Sequence, residues 1–210
     1  MQAGAIVNAF GLQAGMRILD LGCGAGRHSD AFSKMGFEVL GVDQSSELIA
    51  QAKKRGSEAK FLCADFYKES FSGFDVVINL FTSFGYFETD QENADLFDKV
   101  RQALVPGGFF FLDYLHPEGV RRSFVKEENL DVEGEPVKIQ RMIEGDFVFK
   151  KIMFPGKTYL ERVKLYTKDQ VEQMAKERGF TPLFVWDDYL GNPWRNDGNR
   201  QIFGFAASEK

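Results

Sequence analysis

The sequence contains little cysteine and little histidine, with two residues of each among 210. Cys23 and Cys63 lie in separate segments and form no Cys-x-x-Cys motif. Without paired cysteines or a histidine cluster, neither a disulfide framework nor a zinc site is predicted. We therefore expect no metal cofactor and a reducing, cytoplasmic setting.

Long hydrophobic runs and an excess of positive charge are also missing. No window approaches the roughly 18 apolar residues of a membrane-spanning helix, so we expect no membrane partner. Residues 1–4 lack the basic region and apolar stretch of a signal peptide. Lys and Arg number 26 against 31 Asp and Glu, a net charge of −5. A nucleic-acid-binding face usually needs a basic surplus, so nucleic acid is not the expected partner.

Phenylalanine, by contrast, is abundant, with 22 copies, and hydrophobic residues make up 44% of the chain. This composition suits a packed core rich in aromatic rings, or a pocket lined by them. The length fits one domain, and we predict a single domain over residues 1–210.

Segments of strand and helical character alternate up to about residue 115. The expected strands cover residues 16–21, 37–43, 59–65, 74–80 and 109–114. The expected helices cover residues 3–10, 27–35, 45–55 and 90–104. Short links between them predict right-handed crossovers and a doubly wound, Rossmann-like α/β fold with a mostly parallel sheet.

The pattern changes after a short helix near residues 117–124. A polar stretch, 126–135, precedes three strand-like runs, 137–143, 147–153 and 159–165. The dipeptides between these runs, Gly145-Asp146 and Pro155-Gly156, are hairpin signals. We therefore predict a small antiparallel β insertion, residues 126–166, after strand five. A helix over 167–178 and strands over 180–186 and 201–206 then complete a seven-stranded sheet.

The most informative stretch runs from Ile18 to His28. An apolar strand that contains Asp20 leads into a loop with glycine at every second position, Gly22-x-Gly24-x-Gly26. A helix-compatible segment follows directly. A loop of this kind lets a ligand approach bare backbone at the start of a helix.

Three acids end three successive predicted strands: Asp20, Asp43 and Asp65. Since the carboxyl ends of parallel strands share one edge, the three carboxylates should converge there with the glycine loop. Asp43 follows the loop by about twenty positions, which suits a carboxylate that accepts both ribose hydroxyls of a nucleoside cofactor. Asp65 could accept from an adenine amino group, and Phe66 could flank the ring. Any one of these acids could merely cap the next helix or turn, but together they predict a nucleoside cofactor.

The glycine spacing separates two classes of cofactor. A dinucleotide site uses Gly-x-Gly-x-x-Gly, so that a diphosphate rests on amides at the helix start. Here the spacing is Gly-x-Gly-x-Gly, and Asp20 precedes it. A carboxylate in that place would oppose a diphosphate but suits a cationic ligand. The pattern therefore favours the methionine end of S-adenosylmethionine over NAD.

Residues 18–26 resemble the first motif of class I S-adenosylmethionine-dependent methyltransferases. Four further segments resemble the later motifs of that family, in order: Val42-Asp43, Ala64-Asp65-Phe66, Phe74 to Val77, and Leu104 to Gly108. The resemblance covers residues 4–115 and continues more weakly through 167–207, where it implies an antiparallel last strand. The run from Asn79 to Phe87, with Arg27-His28, resembles a bacterial subgroup of unassigned substrate.

The resemblance implies S-adenosylmethionine as cofactor and a role for each matching residue. Asp20 and the glycine loop would hold the methionine part, Asp43 the ribose, and Asp65 with Phe66 the adenine. The full implied set is Asp20, Gly22, Cys23, Gly24, Gly26, Asp43, Gln44, Ala64, Asp65, Phe66, Asn79 and Leu80.

Two features depart from the family pattern. Related chains usually carry a helical segment well before the first motif, which helps close the cofactor pocket, whereas only a short helix is expected before Arg17. We expect closure to come from elsewhere, such as a partner subunit, or the chain to be a shortened form. The amide-methylating motif Asn-Pro-Pro-Tyr is absent, because Leu80 and Phe81 follow Asn79. This disfavours methylation of adenine N6, cytosine N4 or a glutamine amide.

The catalytic residues are harder to assign. Methyl transfer is a direct displacement at a carbon that the sulfonium already activates, so no catalytic motif is obligatory. His116, after the fifth strand, is the candidate general base because its pKa class matches neutral pH. Alternatively, it is an exposed or capping histidine before Pro117. His28 is a weaker candidate for a base and is better explained as structural.

Four aromatic residues are candidates for the substrate pocket: Phe84, Tyr86, Tyr114 and Trp194. Aromatic residues at such junctions can equally belong to the core. Tyr189 could cover the site with Trp194. Arg121 and Arg122 could bind an acidic substrate, although paired arginines on a helix usually form a solvated face. The insertion is expected to act as a lid over the ligand edge or as a dimerisation element in a homodimer.

The sequence thus predicts a methyltransferase that uses S-adenosylmethionine and acts on a small-molecule acceptor. A non-catalytic regulatory or assembly protein that binds the same cofactor would carry the same motifs and is the alternative. A nicotinamide oxidoreductase is disfavoured by the glycine spacing and by Asp20.

Overall fold

The computed structural model of the chain describes residues 2–81, 84–132 and 134–209. Its first part alternates helices and strands: α1 (Gln2–Phe10), β1 (Arg17–Leu21), α2 (Arg27–Lys34), β2 (Glu38–Asp43), α3 (Ser46–Lys54), β3 (Lys60–Cys63), β4 (Phe74–Asn79), α4 (Asp90–Ala103) and β5 (Leu104–Leu115). Its second part contains α5 (Pro117–Arg122), β6 (Glu127–Val132), β7 (Glu135–Glu144), β8 (Phe147–Phe154), β9 (Lys157–Lys164), α6 (Lys168–Glu177), β10 (Phe180–Trp186) and β11 (Arg200–Ala207). None of the described helices is long and apolar enough to cross a membrane.

Polar side chains define where three of the helices begin. Ser45 caps α3 by accepting a hydrogen bond of 3.2 Å from the amide three residues further on. Thr89 and Glu92 form a capping box at the start of α4, and Thr167 and Gln170 form another at α6. These bonds satisfy amides that the first helical turn leaves free, so each helix has a well-defined first turn.

Seven strands form the main sheet, in the order β3-β2-β1-β4-β5-β11-β10. β1 pairs in parallel with β2 and β4, β2 pairs in parallel with β3, and β4 with β5. β11 is antiparallel to both of its neighbours, β5 and β10. The predicted doubly wound, mostly parallel, Rossmann-like sheet with an antiparallel last strand is confirmed. Because the strand order reverses beside β1, a crevice lies at the carboxyl ends of β1 and β4.

The abundant phenylalanines mostly fill the core on the two faces of this sheet. Phe97 on α4 makes edge-to-face contacts with Phe110 and Phe205, at ring-centroid distances of 5.8 and 6.0 Å. The opposite face packs Phe32 of α2 and Ile6 of α1, both fully buried. Burial of these rings supplies much of the apolar contact that holds the helices on the sheet.

The insertion is a four-stranded antiparallel sheet in the order β6-β7-β8-β9. Three of these strands are predicted from the sequence, whereas β6 lies inside the stretch 126–135 that was expected only to be polar. β6 is an edge strand that pairs with β7 through its backbone, and most of its side chains are exposed. An edge strand whose two faces are both exposed to solvent has no alternating apolar pattern, so its sequence does not predict a strand.

Most strand boundaries differ from the expectation by one or two residues, and the differences at β3 and β5 change where Asp65 and a predicted turn lie. β3 ends at Cys63, so Asp65 lies in the turn that follows, where its Oδ1 accepts a hydrogen bond of 3.1 Å from the Tyr67 amide. β5 begins at Leu104 and includes Pro106-Gly107-Gly108, which was expected to be a turn before the strand. The pairing of β4 with β5 shifts register at this end. The Pro-Gly-Gly residues therefore form an irregular part of β5 and not a separate turn.

Hydrogen bonds tie the insertion to the carboxyl edge of the main sheet. The Lys164 amide donates to the Gly85 carbonyl at 2.8 Å, and the Tyr114 hydroxyl donates to the Lys164 carbonyl. Gly85 has a φ of +91°, and a Cβ there would lie 2.7 Å from the Tyr114 hydroxyl oxygen, so glycine is required. The last strand of the insertion therefore lies against the loop that follows β4.

Candidate functional site

The glycine loop between β1 and α2 bends over the end of β2. Gly22, Gly24 and Gly26 all have positive φ, at 73°, 53° and 75°. A Cβ at Gly26 would lie 2.7 Å from the Phe61 ring, whereas one at Gly24 would meet nothing within 4 Å. Gly26 is therefore needed for packing, while Gly24 leaves bare backbone facing the open edge.

Asp20 lies beneath this loop and is only 2% exposed. The Ser29 hydroxyl donates a hydrogen bond of 2.6 Å to its Oδ2. Burial, with a further contribution from the negative charge of Asp43, raises the pKa of the Asp20 carboxyl to about 6. No salt bridge to Asp20 is formed within the described residues. A buried carboxylate without a cation is a favourable neighbour for a positively charged ligand group.

Asp43 and Asp65 are placed at the same edge by the ends of β2 and β3. Asp43 accepts hydrogen bonds from the Gly24 amide at 2.9 Å and from the Ser45 amide at 2.8 Å. These bonds link the glycine loop to the start of α3 through one carboxylate. Asp65 is half-buried, and Lys68 lies 3.1 Å from its Oδ2.

A cleft of about 790 Å³, which we call the first cleft, opens along this edge. Six of the residues expected to bind a cofactor line it: Gly22, Asp43, Gln44, Ala64, Asp65 and Phe66. Further lining residues come from the turn after β3, the loop after β4, the start of α4 and strand β9: Tyr67, Phe87, Glu88, Glu92, Leu160 and Arg162. The two residues of β9, Leu160 and Arg162, carry no sequence signal, because only the packing of the insertion brings β9 to this edge.

Other expected cofactor residues lie under the first cleft. Asn79 is fully buried, and its amide nitrogen donates to the Leu21 carbonyl at 3.0 Å. Its Oδ1 has no hydrogen-bond partner among the described residues. Leu80 is buried beside it, and burial raises the pKa of the half-buried Cys23 thiol. In this structure Asn79 binds the residue before the glycine loop, Leu80 packs in the core, and neither lines the cleft.

A second cleft of about 520 Å³ adjoins the first, between the end of β5, α5 and the inner face of the insertion. Its lining is mainly apolar and aromatic: Phe81, Tyr86, Leu115, Val120, Phe124, Val125, Val148 and Val163, with Ser123 and four charged residues, Glu128, Arg141, Lys150 and Glu161. Tyr86 and Glu161 also line the first cleft. The two clefts therefore meet at these two side chains.

Of the four aromatic residues proposed for a substrate pocket, only Tyr86 lines a cleft. Phe84 and Tyr114 are fully buried, in contact at a ring-centroid distance of 5.0 Å, and belong to the core. Trp194 stacks on His116 at 5.6 Å and lines neither cleft. The sequence places these rings near the edge but does not show which of them the insertion covers. Thr82 and Ser83, in the same run, lie outside the described residues.

The two histidines have structural partners. His116 is 2% exposed, its Nδ1 accepts from the Gly119 amide at 3.3 Å to cap α5, and its Nε2 lies 3.0 Å from the Arg195 carbonyl. Both ring nitrogens are occupied, which favours the capping role over the expected general base. His28 contacts the Gln2 side chain at 2.7 Å, and burial, with the charge of Arg27, lowers its pKa to about 4.

Phe81 belongs to the run from Asn79 to Phe87, whose resemblance implies that residues 79–81 pass beside the cofactor, but the sequence does not show its backbone conformation. It has a φ of +58°, which is rare for a bulky residue, and its side chain is partly exposed at the second cleft. The guanidinium groups of Arg27 and Arg200 lie over its ring at 5.5 and 5.4 Å. Strained backbone of this kind persists where surrounding contacts hold it, and it often marks a functional position.

Comparison with known proteins places the chain among methyltransferases. The family described as "Methyltransferase domain" matches residues 18–108. The putative methyltransferase YqeM of Bacillus subtilis is 35% identical over 209 residues, which span 92% of this chain and 85% of that protein. The dTDP-3-amino-3,4,6-trideoxy-alpha-D-glucopyranose N,N-dimethyltransferase of Streptomyces venezuelae is 25% identical, over 84% of this chain and 78% of its own. The crystal structure of an S-adenosylmethionine-dependent methyltransferase from Clostridium acetobutylicum superimposes with a TM-score of 0.84 at 19% identity, over 99% of this chain and 91% of its own.

Proposed function

The chain belongs to the class I S-adenosylmethionine-dependent methyltransferases, and from that membership we propose that it methylates a small-molecule acceptor held in the second cleft. The observation that carries this proposal is the meeting of the two clefts at Tyr86 and Glu161. One cleft is lined by six of the twelve residues expected to bind the cofactor, and the other is a mainly apolar space of a size suited to a small molecule.

The residues at the first cleft fit S-adenosylmethionine. When bound, this cofactor supplies a methyl group activated by a sulfonium. Asp20 and the backbone of Gly22 to Gly26 are suited to the cationic methionine part, because a buried carboxylate there lacks a cation. We assign Asp43 and Gln44 to the ribose, and Ala64, Asp65 and Phe66 to the adenine. A diphosphate would meet the Asp20 carboxylate and is disfavoured.

The remaining work of the protein is to orient the acceptor and exclude water. Phe81, Tyr86 and Phe124 offer flat apolar walls for a ring or an alkyl chain. We propose that the insertion, residues 126–166, covers the acceptor, since β7, β8 and β9 line the second cleft. The Streptomyces venezuelae relative, named as a dimethyltransferase of an amino sugar nucleotide, supports an acceptor of small-molecule class.

The test is a screen for methylated products. The purified protein is incubated with a metabolite extract and a cofactor that carries an isotope-labelled methyl group, and products are detected by mass spectrometry. A labelled small molecule that forms only with active protein supports the proposal. Persistent absence of labelled product, with tight cofactor binding by calorimetry, would favour the non-catalytic binding protein instead.

A further inference from the structure

Within the described part of the chain, Tyr86 and Glu161 are the two residues that border both clefts. A methyl group that moves from the first cleft to an acceptor in the second crosses the boundary that these two side chains line. We infer that the Glu161 carboxylate accepts the proton of an amine acceptor at this boundary, so that the insertion supplies a catalytic residue. The inference rests on the proposed function and narrows its acceptor to amines.

The backbone holds Glu161 in this place. The hydrogen bond from the Lys164 amide to the Gly85 carbonyl, at 2.8 Å, fixes β9 against the loop that carries Tyr86. Within the insertion, Glu161 lies directly opposite Lys150 in the β8–β9 pairing. The Lys150 ammonium lies 3.4 Å from Oε2 of Glu161. That contact engages one carboxylate oxygen and leaves Oε1 to meet a ligand.

The charges of the second cleft favour an amine over an anionic acceptor. Its two cations are both paired, Arg141 with Glu128 at 2.8 Å and Lys150 with Glu161 at 3.4 Å. A phosphate or carboxylate group would have to displace one of these partners. An ammonium group would instead meet the Oε1 oxygen of Glu161, which the Lys150 contact leaves free.

The chemistry of transfer to nitrogen matches a carboxylate at this point. The amine lone pair forms the bond to the methyl carbon while the carbon–sulfur bond breaks and its electron pair stays on sulfur. Because an aliphatic amine is protonated near neutral pH, Glu161 first accepts one proton of the ammonium group and so frees that lone pair. The methylated nitrogen keeps the positive charge, and Glu161 then releases its proton to solvent. A carboxylate is too weak a base to ionise an aliphatic alcohol.

Tyr86 is not suited to take this proton. Burial, together with the nearby Glu161 carboxylate, raises the pKa of the Tyr86 hydroxyl to about 12. The phenol therefore stays protonated near neutral pH and acts as a hydrogen-bond donor. Glu161 is the remaining proton acceptor at the boundary of the two clefts.

The first experiment compares matched probes with the full chain and labelled cofactor: benzylamine against benzyl alcohol, and phenethylamine against 2-phenylethanol. N-methylated product from the amines, with none from the alcohols, is expected. Methylation of an alcohol probe would overturn the inference. If no probe reacts, the product of the extract screen decides: methyl on nitrogen supports the inference, and methyl on oxygen, sulfur or carbon overturns it. If the extract gives no product either, the proposed function itself fails, and the inference fails with it.

The second experiment tests the residue. Glu161→Gln should lower turnover of the accepted amine at least about 100-fold, whereas Glu144→Gln, an exposed glutamate of the same insertion, should leave it within about twofold. In Glu161→Gln the Lys150 ammonium loses its partner, so a double variant with Lys150→Met removes this unpaired charge. The double variant should turn over the amine as slowly as Glu161→Gln alone. Unaltered turnover in Glu161→Gln, or recovery in the double variant, would contradict the assigned role.

A binding measurement separates this role from a general loss of activity. Calorimetry of phenethylammonium with the protein alone should show roughly threefold to fivefold weaker binding in Glu161→Gln, the size of a partly exposed ion pair. Binding of S-adenosylhomocysteine, which carries no sulfonium charge, should change by less than about twofold in the same variant. Equal amine affinity in the wild type and Glu161→Gln would contradict direct contact between Glu161 and the acceptor.

Discussion

The Ser29 hydroxyl donates a hydrogen bond of 2.6 Å to the buried Asp20 carboxylate, directly beneath the glycine loop. Burial raises the pKa of Asp20 to about 6, so the carboxyl gains a proton as the pH falls through 6. In the unfolded chain the Asp20 carboxyl loses this proton at a lower pH than in the folded protein. The contribution of Asp20 to the free energy of unfolding therefore falls as the pH rises from about 4 to 6. A cationic ligand bound beside Asp20 favours the ionised carboxylate, because its positive charge stabilises the negative one.

Cofactor affinity should therefore depend on pH through Asp20. Calorimetric titration of S-adenosylmethionine should give constant affinity above pH 6 and a loss approaching tenfold per pH unit below it. The variant Asp20→Asn should bind more weakly at pH 7.5 and show no such dependence. If the affinity of Asp20→Asn fell with pH as steeply as that of the wild type, Asp20 would not be the group that causes the pH dependence.

Asp43 should contribute directly to cofactor binding. Because its carboxylate is placed to accept ribose hydroxyls, Asp43→Ala should weaken S-adenosylmethionine binding by about 1–3 kcal/mol. Glu38→Ala, at the exposed start of the same strand, serves as the control and should bind as the wild type does. Isothermal titration of both variants checks this, and an unchanged affinity in Asp43→Ala would refute the ribose assignment.

Gly24 and Gly11 allow backbone strain to be separated from ligand contact. Both have positive φ, 53° and 62°, and a Cβ at either would meet nothing within 4 Å. Each glycine-to-alanine change should lower the free energy of unfolding by about 1–2 kcal/mol, because L-residues disfavour this conformation. Only Gly24→Ala should also weaken cofactor binding, because the Gly24 amide donates to the Asp43 carboxylate at the first cleft. Equal cofactor affinities in the two variants would argue against close approach of the ligand at Gly24.

Phe84 and Tyr86 are close in sequence but should behave in opposite ways. Phe84 is fully buried, so Phe84→Ala should lower the free energy of unfolding by about 3–5 kcal/mol. Tyr86 is 42% exposed and lines both clefts. Tyr86→Ala should therefore slow methyl transfer while the free energy of unfolding changes little. Urea unfolding and the labelled-methyl assay measure the two effects. If Phe84→Ala were as stable as the wild type but slow in methyl transfer, Phe84 would be part of the acceptor pocket and not of the core.

The convergence of Asp20, the glycine loop and Asp43 at one edge could be predicted because its signals are local. The two acids lie at the ends of strands and the loop directly follows one, and a parallel sheet brings strand ends to one edge. The acceptor side depends on contacts between distant segments. Glu161 reaches Tyr86 only because Lys164 bonds to Gly85, and Phe84 is buried only because other aromatic rings close over it. Residue type alone does not separate a pocket wall from a core ring.

A crystal structure of the protein with S-adenosylhomocysteine is the sharpest test of how the two clefts work together, because it would show the position of the ligand's sulfur. We expect adenine near Asp65 and Phe66, ribose on Asp43, and the sulfur facing the boundary formed by Tyr86 and Glu161. A ligand bound outside the first cleft, or one whose sulfur faces away from the second cleft, would contradict this expectation.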